Sequence, residues 1–423
     1  MTIERLRLAP ARGVVAALCA VAAFWSCAGG DAAGEGAPAP RPPDFFVILL
    51  DSLRADALDR VVDGRPVMPR LSAWASRHVV FDRAQAPSPS TPTSISAMLT
   101  SLPVPGFGGE FRRGIPDGVP VLPELLTAAG YRTAAYSANP NCARRLGHAR
   151  GFGTFVEAFS DVDLATGRRV HPDNPARIVE PDVLLDLALA EMEAEAVRPV
   201  FAYVHLLQPH APYEPPEEHV RLFVPEGAET VPLDAATLIE LDKKRDLPPS
   251  WPPTLRRHYD AHTHYVDEAL GRFLDAMENH PRFSTALVAV ISDHGEAFGE
   301  HGRILHNSSV YEEMIRIPLV LRPPGANGAP RRVSAPVDLI DLAPTLLGLA
   351  GAPLPDTFQG RDLLELAAAP DGGAERPLLS RRVVGWPAFS MRFGSLKLMR
   401  AWVGVQWKEA VFDLANDPGE TFD

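Results

Sequence analysis

Two apolar runs, each ending in an acid, constrain this chain more than any other feature. Phe45-Phe-Val-Ile-Leu-Leu50 is followed by Asp51, and Ala286-Leu-Val-Ala-Val-Ile291 is followed by Ser292-Asp293-His294-Gly295. Neither run alternates apolar with polar residues, which is the pattern of a strand covered on both faces in a parallel sheet. The carboxyl ends of such strands are where α/β proteins build their sites. Asp51, Asp293 and His294 are therefore candidate metal ligands, two carboxylates and an imidazole. Taken alone, Asp293-His294-Gly295 reads equally well as a turn in which the acid caps the next helix.

Further strands are expected near 131–137, 199–206 and 317–321, with helices at Met68–Arg77, Val121–Ala129, Asp182–Ala194 and Leu255–Glu278. Strands alternating with helices predict an α/β fold, a mostly parallel sheet sandwiched by helices. Strands near 387–392 and 396–404 predict a smaller C-terminal α+β subdomain. The expected organisation is a catalytic domain over 44–352 and the subdomain over 353–423. The chain of 423 residues is long enough for such a core. Pro215–Pro253 is a proline-containing insertion, either covering the site or a plain surface excursion. A formal net charge of −12 argues against a nucleic-acid partner.

The N-terminus reads as an export signal over 1–27. Arg5, Arg7 and Arg12 precede an apolar stretch, Gly13–Trp25, too short to span a membrane comfortably. Cys27 directly after it predicts a lipid anchor, with ordinary cleavage as the alternative. The Ala/Gly/Pro-rich residues 28–43 would then be a tether. The expected location is the bacterial cell envelope, anchored at Cys27, or otherwise periplasmic or secreted. Of the three cysteines only Cys142 lies in the folded part, so no disulfide is expected there.

A third segment, Ala86-Pro-Ser-Pro-Ser90-Thr91-Pro-Thr-Ser94-Ile-Ser-Ala-Met-Leu-Thr-Ser101, is a proline-stiffened loop running into a helix, with more hydroxyls than capping needs. Together these segments resemble the sulfatase branch of the alkaline-phosphatase superfamily. Ile48-Leu-Leu-Asp51-Ser-Leu-Arg-Ala-Asp56 looks like its opening strand and first metal ligand. Thr91–Leu102 looks like its nucleophile loop and the following Leu-Thr-Gly helix, and Ser292–Gly302 like its second metal segment. Phe201–Tyr213 resembles its strand and loop with a substrate-binding histidine, Tyr265–Glu268 a landmark in the preceding helix, and His306–Pro318 the segment before a late strand. Phe358–Arg361 and Phe412–Glu420 resemble C-terminal landmarks. Several motifs in the right order make a far more specific signal than any one of them.

The resemblance implies a hydrolase of sulfuric or phosphoric esters acting through a covalent enzyme ester, with one divalent metal (Mn, Zn, Mg or Ca) held by Asp51, Thr91, Asp293 and His294. The chain departs from the family at the nucleophile. No cysteine is placed to become formylglycine, since Cys142 lacks the proline two residues on. Ser90 keeps a Ser-x-Pro spacing to Pro92, whereas Thr91 keeps the distance to Leu99-Thr100-Ser101. Thr91 is favoured, unmodified, with Ser90 as the alternative. The Thr91 reading is similar to the lipoteichoic acid synthases and phosphoethanolamine transferases, which also use threonine. Ser52 stands where many sulfatases have a second aspartate. His210 is expected to hold or protonate the transferred group, with His306 as a second stabiliser. His205 is weighted toward a structural role, His301 is ambiguous, and Lys397 reads as a family-like basic residue or a solvated lysine. The expected partner is an anionic ester on a glycan or lipid headgroup. Two alternatives remain, a phosphoryl-group transferase to an alcohol acceptor on an envelope lipid or glycan, and a non-catalytic anion- or glycan-binding relative.

Overall fold

A computed structural model describes residues 41–104, 114–159, 179–195, 197–325, 330–369 and 373–422. The expected export signal, with Cys19 and Cys27, and the tether up to residue 40 lie outside these residues. Eight strands build the large sheet: β1 (Phe45–Leu50), β2 (Val79–Gln85), β3 (Arg132–Ser137), β4 (Thr154–Glu157), β5 (Val200–Leu206), β6 (Leu287–Ile291), β7 (Leu319–Arg322) and β8 (Arg331–Asp338). Their order is β8-β2-β7-β6-β1-β5-β3-β4. Only β7 runs antiparallel to its neighbours. The mostly parallel sheet expected from the apolar runs is present.

The unbroken apolar character of β1 has a direct cause. It lies between β5 and β6, and successive side chains enter opposite layers. Phe46, Ile48 and Leu50 pack with Leu71, Leu184 and Leu270, from the helices Pro69–Ala75, Pro181–Ala194 and Trp251–Glu278. Phe45, Val47 and Leu49 pack on the other face with Ile95, Leu126 and Leu346, from Thr91–Thr100, Leu122–Ala128 and Leu342–Ala350. A polar residue at any of these positions would be buried without water.

Strands β2, β4 and β8 are absent from the set expected from sequence. β2 carries Asp82 and Arg83 in its middle, both only partly buried, and this interrupts the apolar signal. β4 is a four-residue edge strand, and β8 is the opposite edge and contains Pro336. Edge positions demand neither unbroken apolarity nor every backbone donor.

The 28-residue helix Trp251–Glu278 organises one side of the molecule. Its Tyr259 hydroxyl donates to Ser52 O and accepts from Arg54 N, both at 2.9 Å, which pins the turn after β1. Its Asp267 accepts from the backbone N–H groups of Arg70 and Leu71 and so satisfies the first turn of Pro69–Ala75. The insertion 215–253 contains two helices, Glu217–Phe223 and Ala235–Lys244. No helix among the described residues is long and apolar enough to cross a membrane.

Four antiparallel strands, β9 (Leu378–Arg382), β10 (Ala388–Phe393), β11 (Leu396–Val403) and β12 (Gln406–Asp413), form a meander. β9 buttresses the segment after β2: Arg381 N donates to Pro87 O at 2.9 Å, and Gln85 Nε2 donates to Ser380 Oγ at 2.8 Å. Lys397 on β11 is not solvated. It is fully buried and bridges Glu312 at 3.0 Å and Glu420 at 2.7 Å. Two carboxylates converging in the interior require a cation between them. Lys397→Met should therefore lower the unfolding free energy by about 3–5 kcal/mol, read by chemical denaturation. A loss below about 1 kcal/mol would show that the two acids reach water without it.

Candidate active site

Every parallel strand near the sheet centre delivers a polar residue to the same edge. Asp51 follows β1, Asp293 and His294 follow β6, Asn139 follows β3, and His205 lies near the end of β5. Thr91 opens the helix that follows β2, with Ser90 at its N-cap. Asp51, Asp293 and His294 are fully buried, and each offers a ligand atom within 4.8 Å of the others. Of the four residues expected from sequence as metal ligands, Asp51, Asp293 and His294 form this cluster, and Thr91 Oγ1 lies beside it, 3.2 Å from His294 Nε2.

Their orientation is set by a surrounding set of hydrogen bonds. His294 Nδ1 lies 2.9 Å from Gly295 O, to which it can only donate. The lone pair is thereby left on Nε2. That atom lies 3.2 Å from Thr91 Oγ1, 3.3 Å from Asp293 Oδ2 and 3.9 Å from Asp51 Oδ1. Asp293 Oδ1 accepts from Ser52 N at 3.1 Å and His294 N at 3.0 Å, whereas its Oδ2 is buried and accepts no hydrogen bond among the described residues. A buried carboxylate oxygen without a donor, facing an imidazole lone pair and a second carboxylate, fits a cation better than it fits a solvent-free void.

Ser52 has a positive φ of 59°, which turns the chain sharply after β1. Its hydroxyl donates to Asp51 Oδ1 at 3.1 Å. Where the resemblance led one to look for a second acid, this chain places a donor that steadies the first. Asp51 Oδ2 receives two more bonds, from His205 Nε2 at 2.9 Å and from Asn139 Nδ2. Burial pushes the Asp51 carboxyl up. The His205 hydrogen bond and the nearby His210, His205 and His294 outweigh it and hold the group well below the usual carboxylate range. Burial pushes His205 down, but Asp51 and the neighbouring Cys142 together carry it to about 10. His205 Nδ1 meets the Tyr203 hydroxyl at 3.0 Å. His205 is thus the structural residue expected from sequence, and its structural task is to hold Asp51.

Asn139 was not among the residues singled out from sequence. A signal existed: Ser137-Ala-Asn139-Pro stands directly after an expected strand, at the edge that made Asp51 and Asp293 conspicuous.

Three hydroxyls of the loop find carbonyl partners, whereas Ser88 Oγ and Thr93 Oγ1 are buried without a partner among the described residues. Ser94 donates to Ser88 O, Ser96 to Pro92 O and Thr100 to Ser96 O, each at 2.7 Å, and Ser96 Oγ also meets His148 Nε2 at 3.0 Å. These hydroxyls satisfy a fully buried helix. Thr91 is different, because its hydroxyl faces His294.

Two further imidazoles flank the site. The ring of His306 lies 4.3 Å from that of His294 and 4.9 Å from that of His210. His306 Nδ1 is held by the buried Glu296 at 2.9 Å, and His210 Nδ1 donates to Ala211 O at 2.5 Å. His301 lies apart from this row. It stacks on Tyr311 with ring centroids 3.5 Å apart and bonds Glu313 at 3.1 Å, a supporting contact. Asp56 pairs with Arg54 and Arg256 and belongs to the helix-side scaffold.

Comparisons with known proteins agree with this architecture. A family profile described as Sulfatase matches residues 43–352, and one described as N-sulphoglucosamine sulphohydrolase, C-terminal, matches 299–423. An ulvan-active sulfatase of Formosa agariphila is 27% identical over 405 residues, covering 90% of this chain and 76% of that protein. A protein solved in complex with its substrate D-glucosamine-2-N,6-O-disulfate superposes with a TM-score of 0.70 at 21% identity, covering 91% of this chain and 93% of the other. A phosphonate monoester hydrolase of Agrobacterium radiobacter gives 0.68 at 21% identity, covering 89% and 90%. The two structures share the fold. The profile match over most of the chain, on a sheet whose carboxyl edge gathers Asp51, Asp293 and His294, makes this chain a member of the sulfatase family and an ester hydrolase of that family.

Proposed function

We propose that this hydrolase is metal-dependent, uses Thr91 as an unmodified nucleophile, and cleaves a sulfate or phosphate-type ester on an anionic glycan. One observation carries the reading: Thr91 Oγ1 lies 3.2 Å from His294 Nε2, where the Asp51 and Asp293 carboxylates also converge. Ser90, the alternative, occupies the N-cap instead. A divalent cation held by Asp51, Asp293 and His294 would lower the pKa of the Thr91 hydroxyl and draw charge from an ester oxygen.

The chain's own groups account for the remaining steps. Thr91 Oγ1 gives its proton to solvent water and bonds the sulfur or phosphorus, and the bond to the leaving oxygen breaks. His210 donates a proton to that oxygen, and His306, fixed by Glu296, stabilises charge on the transferred group. Water then attacks the sulfur or phosphorus and gives a proton back to His210, the bond to Thr91 Oγ1 breaks, that oxygen regains a proton from solvent, and sulfate or phosphate leaves. An alcohol acceptor in place of water would make the same chemistry a transfer.

The substrate class is supported by likeness, since a fold neighbour was solved with a disulfated glucosamine and a relative is ulvan-active. An exported enzyme, anchored at Cys27 or released, fits a polymeric substrate that meets it outside the cytoplasm. Its expected test is fractionation, with Cys27→Ser moving the protein from membrane to soluble fraction.

Turnover of p-nitrophenyl sulfate, p-nitrophenyl phosphate and phenylphosphonate esters tests the activity and ranks the ester class. Thr91→Ala should lower it on the order of 10⁴-fold or more, while Ser90→Ala keeps most of it. Mass spectrometry of the loop peptide should show no formylglycine. A dead Ser90→Ala beside an active Thr91→Ala, or an oxidised Ser90, would move the nucleophile by one residue.

Metal dependence has its own check. Dialysis against a chelator should abolish turnover, and Asp293→Ala should lose bound metal. Asn139→Ala, which frees Asp51 to rotate and also removes the local bond from Asn141 N to Asn139 Oδ1, should weaken metal affinity about 10–100-fold with unchanged circular dichroism. Full affinity in Asn139→Ala would show that Ser52 and His205 suffice to orient Asp51.

A further inference from the structure

A second group of metal-ligating side chains lies outside the catalytic edge, between two helices. His264 and Glu268 are one turn apart on Trp251–Glu278 and therefore share a face. His219 reaches them from Glu217–Phe223. The Nδ1 atoms of His219 and His264 are 3.0 Å apart, His219 Nε2 lies 3.9 Å from Glu268 Oε2, and His264 Nδ1 lies 4.0 Å from Glu268 Oε1. Both imidazoles are buried, whereas the Glu268 side chain is 47% exposed. Phe223 stands 5.3 Å from the His264 ring, and Tyr265 5.2 Å from the His219 ring.

We propose that His219, His264 and Glu268 bind a structural zinc ion that fastens the helix Glu217–Phe223 to the long helix. Two imidazole nitrogens about 3.3 Å apart are what a tetrahedral ion at a bond length near 2.0–2.1 Å requires. The pair therefore needs only a small opening from its present 3.0 Å separation. A carboxylate oxygen supplies the third ligand, and the open side at Glu268 admits water as the fourth. Two nitrogen donors with one oxygen favour zinc over magnesium or calcium, which prefer oxygen.

The location gives the ion a purpose. Glu217–Phe223 directly follows the loop that carries His210. Anchoring this helix to Trp251–Glu278, the same helix whose Tyr259 pins the turn after Asp51, would tie both sides of the catalytic pocket to one support.

The test is a zinc titration of the chelator-treated full-length protein, with zinc chloride as the probe and stoichiometry and melting temperature as readouts. The catalytic edge can also take zinc, so the decisive quantity is the difference between wild type and variant. His264→Gln should bind one equivalent fewer than wild type and lose the zinc-dependent rise in melting temperature. Glu268→Gln alters only a half-exposed carboxylate and should retain the wild-type circular dichroism, yet bind this equivalent at least about tenfold more weakly. With cobalt as probe, His219→Asn should lower the visible absorbance at saturation below that of wild type by the share of one bound ion. Equal zinc stoichiometry and affinity in wild type and both glutamine variants would overturn the proposal and leave His219 and His264 as a hydrogen-bonded pair.

Discussion

A carboxylate with no access to solvent sits at the end of the central strand, and the architecture around it exists to make that tolerable. Asp51 is flanked by β5 and β6, so no water approaches from either side in the plane of the sheet. An isolated charge in such a place costs several kcal/mol. Here Ser52, Asn139 and His205 each donate to it, from the turn after β1, the end of β3 and the end of β5. Asp51 and Cys142 in turn raise the pKa of His205, whose other ring nitrogen meets the Tyr203 hydroxyl. Three strands must therefore be in register before the charge is satisfied, which links formation of the site to formation of the sheet.

Asp293 shows the complementary arrangement. One of its oxygens is saturated by backbone N–H groups and the other is bare. The saturated oxygen fixes the carboxylate plane. The bare one, with His294 Nε2 and Thr91 Oγ1 beside it, keeps a polar position open. The pattern separates groups that hold the carboxylates, such as Asn139 and His205, from groups that face the open position beside Asp293 Oδ2, such as Thr91 and His294. The same division runs through the histidines. His210 and His306 belong to the row beside His294, whereas His301 is stacked away on Tyr311.

Support for this edge comes from distant sequence. The long helix ties down the turn after β1 through Tyr259, and β9 of the C-terminal meander braces the loop that leads to Thr91. The helix Leu363–Ala368, close in sequence to the meander, packs into the core of the large sheet. The meander's own attachment runs through the buried Lys397 and its two glutamates. Residues far from the chemistry thereby position it.

The sequence by itself determined the sheet centre and the catalytic edge. An unbroken apolar run has no stable place except between two covered faces, and an acid at its end must then lie at the carboxyl edge. Asp51, Asp293 and His294 were legible for that reason, whereas Thr91 was legible only through the hydroxyl-rich loop and its resemblance to the family's nucleophile segment. The edge strands β4 and β8, and the charged β2, were not, because a strand with a solvated face or a free side needs no continuous apolarity. Tertiary structure alone decided which polar residues serve the charged ones. Nothing in the segments of Asn139, Ser52 and His205 names Asp51 as their partner, and they act on it only because three strands end side by side. Lys397 became a core residue for the same reason, since two glutamates from remote segments converge on it. Hydrogen-bond and ion-pair partners are set by distance in space, and a linear chain encodes that distance only through the fold it adopts.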